Sequence, residues 1–418
     1  MGSPVIRVAA YLLGFSRDVR LVLLVYALVG LVSLGINTVL LNLYLLRLGY
    51  GPKDIGLINA FGPLCYALCS LPAGALGVRW GVRSLMLIGT GLWSAGIVLL
   101  PFAESLPGSM RMGWILVAQV LAWAGAAAFF VSSTPFLIAA TAVEAQSQIF
   151  SASAALMPLA SFTGNLLGGL LPGVWANLLG ETLKNPAPYR YSLAIAALFS
   201  TLAVVAVLNT SKVRAEGTRS TTTESSDSLP WGLIAFLSTI ALLASAGGGI
   251  LQAFFTLYLD TSLHLPTALI GLLSGSAQLM AVPAALAMPA LVRRWGNENT
   301  YILGVLGIAL SMLLLAQVPH WIAATAGRMG LAVLMSISGP AFIVYQQGKV
   351  GSRWRAAMSG SANTAMGLSW SGMALGGGYL VAGLGYSTLF TLGAGLSATG
   401  AMLFYGYTLI QSKRARVV

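Results

Sequence analysis

Charged residues are scarce in this sequence. Asp, Glu, Lys and Arg make up 8% of the 418 residues, and hydrophobic residues make up 57%. Ordinary soluble domains are about 25% charged. A soluble protein of this length would need a charged surface to face water. The alternative is an outer surface in contact with lipid, where apolar side chains need no polar partner. The composition therefore predicts a polytopic membrane protein.

Cysteine and histidine are almost missing, with two residues of each type. Two cysteines exclude a disulfide framework. Cys65 and Cys69 lie one helical turn apart with no His or carboxylate nearby, so they fit buried small residues better than a metal pair. No nucleotide-binding G-x-x-x-x-G-K-(S/T) or zinc-binding H-E-x-x-H motif occurs. We expect no metal, no cofactor and no enzymatic activity. An integral membrane enzyme using Glu104 or Glu144 is a remote alternative.

Basic residues outnumber acidic ones by 22 to 10, which gives a net charge of +12. They form short clusters between apolar runs, which indicates membrane topology rather than a nucleic-acid partner. Sixteen of the 22 basic residues fall on one set of alternating loops and five on the other. The richer side is expected to be cytosolic. The sequence thus predicts a protein of the cytoplasmic (inner) membrane, in contact with lipids, with both termini cytosolic.

Apolar runs long enough to cross the hydrocarbon core, about 30 Å thick, recur along the whole chain. We predict twelve spans, near 19–47, 54–77, 84–101, 112–140, 149–177, 191–208, 230–259, 267–292, 300–318, 320–346, 357–382 and 386–410. The one long polar segment, "NTSKVRAEGTRSTTTESSDS", begins at Asn209. The predicted domains are therefore 1–208, a cytosolic linker at 209–229, and 230–418.

The two halves repeat each other. "NLYLLRLGYGPKDIGL" from Asn42 resembles "TLYLDTSLHLPTALIGL" from Thr256, and an Arg-Trp-Gly step recurs at Arg79 and Arg294. Twelve spans, a polar central loop and this repeated loop together resemble the major facilitator superfamily. The resemblance implies an all-α membrane protein with twelve transmembrane helices in two pseudo-symmetric six-helix bundles. It also implies a secondary transporter that works by alternating access.

The repeated loop is the motif that carries this resemblance. Gly74, Leu76, Gly77, Arg79, Gly81 and Arg83 fit the family pattern, whereas Val78 and Arg293 stand where the family has an Asp. That departure puts the family's acidic latch in doubt. The loops are interpreted either as gates or as topology anchors, with glycines that permit a tight reversal. Their residues are Gly77, Arg79, Gly81, Arg83, Arg293, Arg294 and Gly296.

Polar residues within the spans are the candidate substrate contacts, because each costs free energy unless it meets water or a partner. The resemblance implies that spans 1, 4, 7 and 10 line the substrate path. Arg328 is the strongest candidate, because it lies eight residues past His320 and so about 12 Å into the span. The full set of candidates is Arg328, Asn37, Thr38, Asn42, Gln119, Trp123, Gln252, Tyr258 and Tyr345.

Carboxylates are missing from the middle of every predicted span. All ten Asp and Glu residues fall in loops or at span ends. Asp54 and Asp260, at the ends of spans 2 and 7, are possible proton-coupling groups. The simpler interpretation is that both carboxylates are solvated by water at the span ends. Facilitated diffusion and exchange are therefore also possible modes of transport.

Pairs of small residues suggest where helices approach closely. Gly164/Gly168 in the fifth span and Gly372/Gly376 in the eleventh have the small-x-x-x-small spacing that permits close contact.

The resulting prediction is a transporter, expected to be monomeric, that moves a small molecule through a central cavity between the two bundles. It is either an efflux carrier for small molecules or drugs with an apolar cavity or, as the alternative, a carrier for an amphipathic lipid-like or anionic metabolite held by Arg328.

Overall fold

The computed structural model describes residues 15–141, 143–211, 231–351 and 354–417, and these residues form helices and no strands. Most of the predicted linker lies outside this range. The helices of the first half are α1 Arg17–Val29, α2 Asn37–Arg47, α3 Pro52–Trp80, α4 Val82–Leu99, α5 Gly108–Ala139, α6 Val143–Leu179 and α7 Ala187–Leu208. Those of the second half are α8 Trp231–Ala244, α9 Ala246–Thr261, α10 Thr267–Gln317, α11 Trp321–Lys349 and α12 Arg355–Val417.

Short irregular helices join some of these elements. A π-helix, Gly30–Ile36, connects α1 to α2, so that Arg17–Arg47 forms one continuous span. A 3₁₀ helix, Leu100–Ser105, extends α4.

Ten helices in the described residues are long and apolar enough to cross a membrane. The bounds of the first seven agree with the predicted spans to within about four residues, because long apolar runs bounded by polar or Gly residues are strong signals. The two longest, Thr267–Gln317 and Ala357–Gln411, have 51 and 55 residues. Each contains one non-helical glycine: Gly296, with φ 75° and ψ 166°, and Gly385, with φ 83° and ψ 174°.

The chain divides into two compact units. The first contains Met1–Leu40 and Leu68–Arg219, and the second contains Leu41–Ala67 and Ser220–Val418. The segment Leu41–Ala67, which holds most of α2 and the first half of α3, therefore packs with residues of the second half of the sequence.

In the first unit, glycines bring α6 against the π-helix. A Cβ at Gly164 would lie 2.1 Å from the carbonyl oxygen of Leu31, and one at Gly168 would lie 3.1 Å from that of Ile36. The Leu34 carbonyl accepts hydrogen bonds from Ser161 Oγ at 2.8 Å and Asn165 Nδ2 at 3.0 Å. The close packing predicted for Gly164 and Gly168 is confirmed.

The corresponding prediction for the eleventh span is wrong. No described atom lies within 4 Å of a Cβ built at Gly372 or Gly376. The close contacts fall on the next two glycines instead: a Cβ at Gly377 would lie 2.7 Å from Phe254, and one at Gly378 would lie 2.6 Å from the Pro52 carbonyl oxygen. In a run of consecutive glycines several helix faces are equally small, so the neighbouring helices decide which face is used.

An aromatic cluster forms part of the core of the second unit. Tyr301 stacks on Phe342 with ring centroids 4.2 Å apart, and Phe404 meets both rings edge-on. Tyr345 packs against Phe404 at 4.9 Å. The cluster ties α10, α11 and α12 together.

Candidate substrate-binding site

Arg328 is buried inside the second unit. It lies in α11, which begins after His320, whose ring accepts a hydrogen bond from the Ile322 amide at 3.2 Å. Only 8% of the surface of Arg328 is exposed. An arginine buried at this depth in a membrane span carries a free-energy cost on the order of several kcal/mol unless something compensates its charge.

Among the described residues, those around Arg328 include an aromatic ring but no carboxylate paired with it. Its guanidinium carbon lies 5.5 Å from the centroid of the Phe255 ring. Among the described residues its Nε has no hydrogen-bond acceptor, and no carboxylate forms an ion pair with it. Buried charges in proteins are normally paired. Arg328 is therefore a cation whose partner the described side chains do not supply.

The helix facing Arg328 is α9. Gly248 lies against Met335, since a Cβ there would be 3.1 Å from Met335 Cε. Phe255 lies seven residues after Gly248 on α9, and its ring faces the guanidinium of Arg328. On α11, Arg328 lies seven residues before Met335. The contacts run in opposite order along the two helices, so α9 and α11 are antiparallel here. Gln252, half-buried, lies between the two contacts on α9.

Trp370 is a neighbour that the sequence analysis did not select. Its Cα would lie 2.7 Å from a Cβ at Gly249, and its indole nitrogen 3.4 Å from one at Gly248. The indole N–H is buried with no acceptor among the described residues. The three consecutive glycines from Gly247 are the sequence feature that could have predicted a large neighbour here. Such a run lets a large side chain approach the backbone of α9.

Asn42 is fully engaged in helix contacts in the second unit. Its Nδ2 donates to the Ala253 carbonyl at 2.9 Å and lies 3.4 Å from Thr256 Oγ1. Its Oδ1 accepts from Asn59 Nδ2 at 2.8 Å. The amide thus joins α2 and α3 to α9.

Asp260, one of the two possible coupling acids, is paired with Arg47. The guanidinium of Arg47 donates to both carboxylate oxygens, at 2.7 and 3.1 Å, and both side chains are less than one-fifth exposed. The sequence analysis did not select Arg47 as a candidate residue. The other acid, Asp54, accepts from the Gly51 amide at 3.3 Å, a contact at the N-terminal end of α3.

Further contacts surround this ion pair in the second unit. A Cβ at Gly56 would lie 2.5 Å from the Ala374 carbonyl oxygen. The Lys53 ammonium lies 5.4 Å from the centre of the Tyr379 ring, and Thr261 and Tyr386 share a hydrogen bond of 3.0 Å. Together with the Asn42 contacts and the Arg47–Asp260 pair, these interactions form a set that we call the α2–α9 latch.

The two candidate tyrosines lie in aromatic packing. Tyr258 contacts Tyr386 and Phe390 at centroid distances of 5.3 and 5.1 Å, and its hydroxyl has no partner among the described residues. Tyr345 belongs to the aromatic cluster, and the Lys349 ammonium lies 5.0 Å from its ring centre.

The remaining candidates belong to the first unit. Thr38 donates to the Ser33 carbonyl at 3.0 Å. The amide oxygens of Asn37 and Gln119 are buried with no donor among the described residues. Trp123 is half-buried on α5. Near the π-helix, Tyr26 shares a 2.8 Å hydrogen bond with Ser133, and the Trp93 indole donates to Ser33 Oγ at 2.8 Å.

The repeated loops have matching backbones. Gly81 and Gly296 both have positive φ, 85° and 75°, as a tight reversal requires. Arg83 donates to the Thr210 and Leu208 carbonyls at 2.8 and 2.9 Å, so it caps the C-terminal end of α7. Gly77 is half-buried, and Arg79, Arg293 and Arg294 are exposed. Among the side chains that the structure describes, no group of three or more His, Cys, Asp or Glu could hold a metal ion.

Residues 22–374 match the sequence family described as the Major Facilitator Superfamily. The chain belongs to this superfamily. No curated protein matches it significantly in sequence.

Solved structures of superfamily transporters share the fold. A nucleoside transporter, NupG, is 15% identical, with a TM-score of 0.72 over 94% of this chain and 99% of its own. A D-xylose–proton symporter is 14% identical, with a TM-score of 0.75 over 93% and 97%. A bacterial homologue of the human lysosomal transporter Spinster, solved inward-facing and occupied, is 15% identical, with a TM-score of 0.66 over 100% and 98%. At these identities the similarity establishes the fold.

Membership in the superfamily decides between the broad classes considered for the sequence. The chain is an integral membrane transporter and not an enzyme. The predicted family is confirmed.

Proposed function

We propose that the chain moves a small molecule across the cytoplasmic membrane by alternating access, and that Arg328 binds a polar or anionic group of that molecule. The observation that carries the proposal is the buried guanidinium, whose Nε has no acceptor among the described residues. This favours the carrier of an anionic or amphipathic metabolite over an exporter with an apolar cavity. An apolar substrate would leave the charge of Arg328 uncompensated.

Twelve spans are part of the proposal. A helix of 51 residues is about 75 Å long at 1.5 Å per residue, more than twice the hydrocarbon thickness. The non-helical glycines Gly296 and Gly385 each divide such a helix at a predicted loop. Counting both long helices as two spans turns the ten candidates into twelve, with both termini on the cytosolic side.

The two-fold repeat has support from one contact. The sequence alignment that pairs Tyr44 with Tyr258 also pairs Asn42 with Thr256, and these two side chains are 3.4 Å apart. Equivalent residues of two related copies meet only near the axis that relates them. We therefore infer pseudo-symmetric halves, 1–208 and 230–418, in which Asn42 and Thr256 are equivalent residues.

The α2–α9 latch is proposed to open and close during transport. It joins elements from both repeat copies through an ion pair, an amide network and close glycine contacts. In an alternating-access carrier, contacts between the copies at one membrane face form in one state and break in the other. Asp260 would lose Arg47 on opening, which is the step at which a proton could bind it.

A reversible cross-link tests this mechanism. In a background of Cys65→Ser and Cys69→Ser, the pair Asn42→Cys and Thr256→Cys should form a disulfide that holds the latch closed. The full chain in liposomes would be assayed for uptake of radiolabelled D-xylose, uridine, lysophosphatidylcholine and 3-phenylpropionate, with and without an imposed pH gradient. We expect uptake of at least one solute to be saturable, to stop on oxidation and to return on reduction.

A second cysteine pair is the matched control. Ser94 and Ser200 are buried, with oxygens 3.0 Å apart, and both lie within the first unit. A disulfide between Ser94→Cys and Ser200→Cys should leave uptake intact. Unchanged uptake after the Asn42–Thr256 cross-link has formed would contradict alternating access at this latch. Uptake no faster than in protein-free liposomes for every solute would contradict the transport proposal.

A further inference from the structure

The geometry around Arg328 points to one substrate class. We infer that the site binds an organic monocarboxylate with an apolar body, a conclusion that rests on the proposed function and specifies its substrate. The inference draws on three features of the second unit: its charge balance, the buried Nε of Arg328 that lacks an acceptor among the described residues, and the apolar residues beside it.

No acid among the described residues forms an ion pair with Arg328. The nearest one along the facing helix is Asp260, five residues after Phe255 and thus about 7 to 8 Å further along α9. Both of its oxygens are held by Arg47. The sequence has no carboxylate in the middle of any span. Since no described carboxylate pairs with Arg328, we infer that its negative charge comes with the ligand.

The donor that lacks an acceptor matches a carboxylate. The guanidinium N–H groups lie in one plane, and Nε together with one terminal nitrogen forms a fork that fits the two oxygens of a carboxylate. Nε of Arg328 is buried and free of acceptors among the described residues. The Phe255 ring contributes a π face, which offers no lone pair to that fork.

The single positive charge of Arg328 is balanced by a ligand with a single negative charge. Arg328 is the one basic residue that the sequence places inside a predicted span, since the other Lys and Arg residues lie in loops or at span ends. A phosphate dianion at this site would keep a second charge uncompensated in an apolar environment, which is strongly unfavourable. A single carboxylate balances the site.

The residues beside the fork favour an apolar body. Towards the middle of α11, the side of Arg328 that faces α9 continues through Leu331 and Met335, both near the glycine run of α9. Between Gly248 and Phe255, Gln252 is the polar side chain of α9. This stretch of α9 therefore offers few hydrogen-bond partners to a polyhydroxylated solute. An aryl or alkyl chain would instead contact Phe255, Leu331 and Met335.

Three ligands of one shape separate charge from hydrophobicity. The purified full chain in detergent would be titrated calorimetrically with 3-phenylpropionate, its neutral amide 3-phenylpropionamide, and 2-phenylethylphosphonate, in a buffer alkaline enough for the phosphonate to be a dianion. We expect the carboxylate to bind at least about tenfold more tightly than the other two. This matches the contribution of a hydrogen bond to a charged group.

Variants test whether the preference for the carboxylate over the amide depends on Arg328. Arg328→Gln should raise the dissociation constant of the carboxylate about tenfold or more and leave that of the amide unchanged, which also shows that the variant is folded. Arg328→Lys, which keeps the charge without the fork, should give an intermediate loss. Arg20→Gln makes the same chemical change at an exposed position and should bind like the parent.

The outcomes separate this inference from the proposed function. Equal binding of the amide, tighter binding of the phosphonate, no binding of any of the three, or full carboxylate affinity in Arg328→Gln would each overturn the monocarboxylate assignment. If saturable uptake of D-xylose or uridine then persists in liposomes, the transporter proposal stands without it. If the carboxylate binds but no solute crosses, transport is refuted while the binding assignment holds.

Discussion

At the scale of single residues, the sequence predicts some members of the candidate site but not the residues that they contact. Arg328 could be selected from the sequence because a cation far from both ends of an apolar run is rare and costly. Its neighbour Phe255 could not, because which face of α9 meets α11 depends on packing across some 70 residues of chain. Asp260 was selected for its charge alone, and the structure pairs it with Arg47. A lone charge at a span end shows only that a partner or water must be present.

The Arg47–Asp260 pair gives a prediction at this scale. Asp260→Asn should weaken the α2–α9 latch, because it replaces a doubly hydrogen-bonded ion pair with contacts worth roughly 1 to 3 kcal/mol less. We expect a cysteine at Thr256, which is 3% exposed, to react about tenfold faster with a membrane-impermeant maleimide. The background is Cys65→Ser and Cys69→Ser.

Charge exchange provides the control for that prediction. Arg47→Asp combined with Asp260→Arg should return the maleimide rate close to that of the parent, whereas Arg47→Asp alone should raise it. Equal rates in the parent and Asp260→Asn would show that the ion pair does not hold the latch closed.

At the scale of elements, the π-helix between α1 and α2 is the feature that sequence patterns did not predict. Its extra residue per turn disturbs the regular ladder of backbone hydrogen bonds. Two side chains of α6, Ser161 and Asn165, donate to the Leu34 carbonyl. Local propensity cannot specify such a helix, because its stability depends on donors about 130 residues away. The small-residue spacing at Gly164 could indicate only that some helix comes close.

Gly164 gives the second prediction. Gly164→Ala places a methyl group 2.1 Å from the Leu31 carbonyl oxygen, so α6 must move away from the π-helix. We expect this overpacking to cost about 1 to 3 kcal/mol and to lower the thermal unfolding midpoint measured in detergent. Gly173→Ala, on the same helix with nothing within 4 Å, is the control and should leave the midpoint unchanged or raise it. Equal midpoints for the two variants would refute the close contact.

The glycine reversals give the third prediction. Gly81 and Gly296 have backbone angles that are essentially restricted to glycine, so an alanine at either position should cost about 1 to 3 kcal/mol. Both Gly81→Ala and Gly296→Ala should lower the thermal midpoint. Gly91→Ala and Gly395→Ala, at helical positions with open space, should raise it or leave it unchanged. A midpoint unaffected by Gly296→Ala would show that α10 is not broken there.

At the scale of the whole molecule, topology is the property to test. Twelve spans with cytosolic termini put the loop at Gly296 in the cytosol and the loop at Gly385 outside. Asn299→Cys and Leu384→Cys are exposed positions near these loops. In the cysteine-free background, an impermeant maleimide added to intact cells should label the cysteine at 384 and spare the one at 299. Permeabilised cells should show both labelled. Labelling of the cysteine at 299 in intact cells would contradict the proposed orientation.

Three properties were determined by the sequence itself. The chain is a helical membrane protein, most of its spans have bounds that the sequence predicts, and its superfamily can be recognised. Those properties follow from the lengths of apolar runs, from repeated loop residues and from the placement of charge, all of which are local along the chain. The tertiary structure alone decided that Asn42 bridges α2, α3 and α9, that Arg47 holds Asp260, that Gly377 and Gly378 rather than Gly372 and Gly376 pack closely, and that Arg328 lies against Phe255. Each of these depends on which helix faces meet. In a chain with so few polar side chains, many facing pairs are nearly equivalent until the whole helix arrangement selects one.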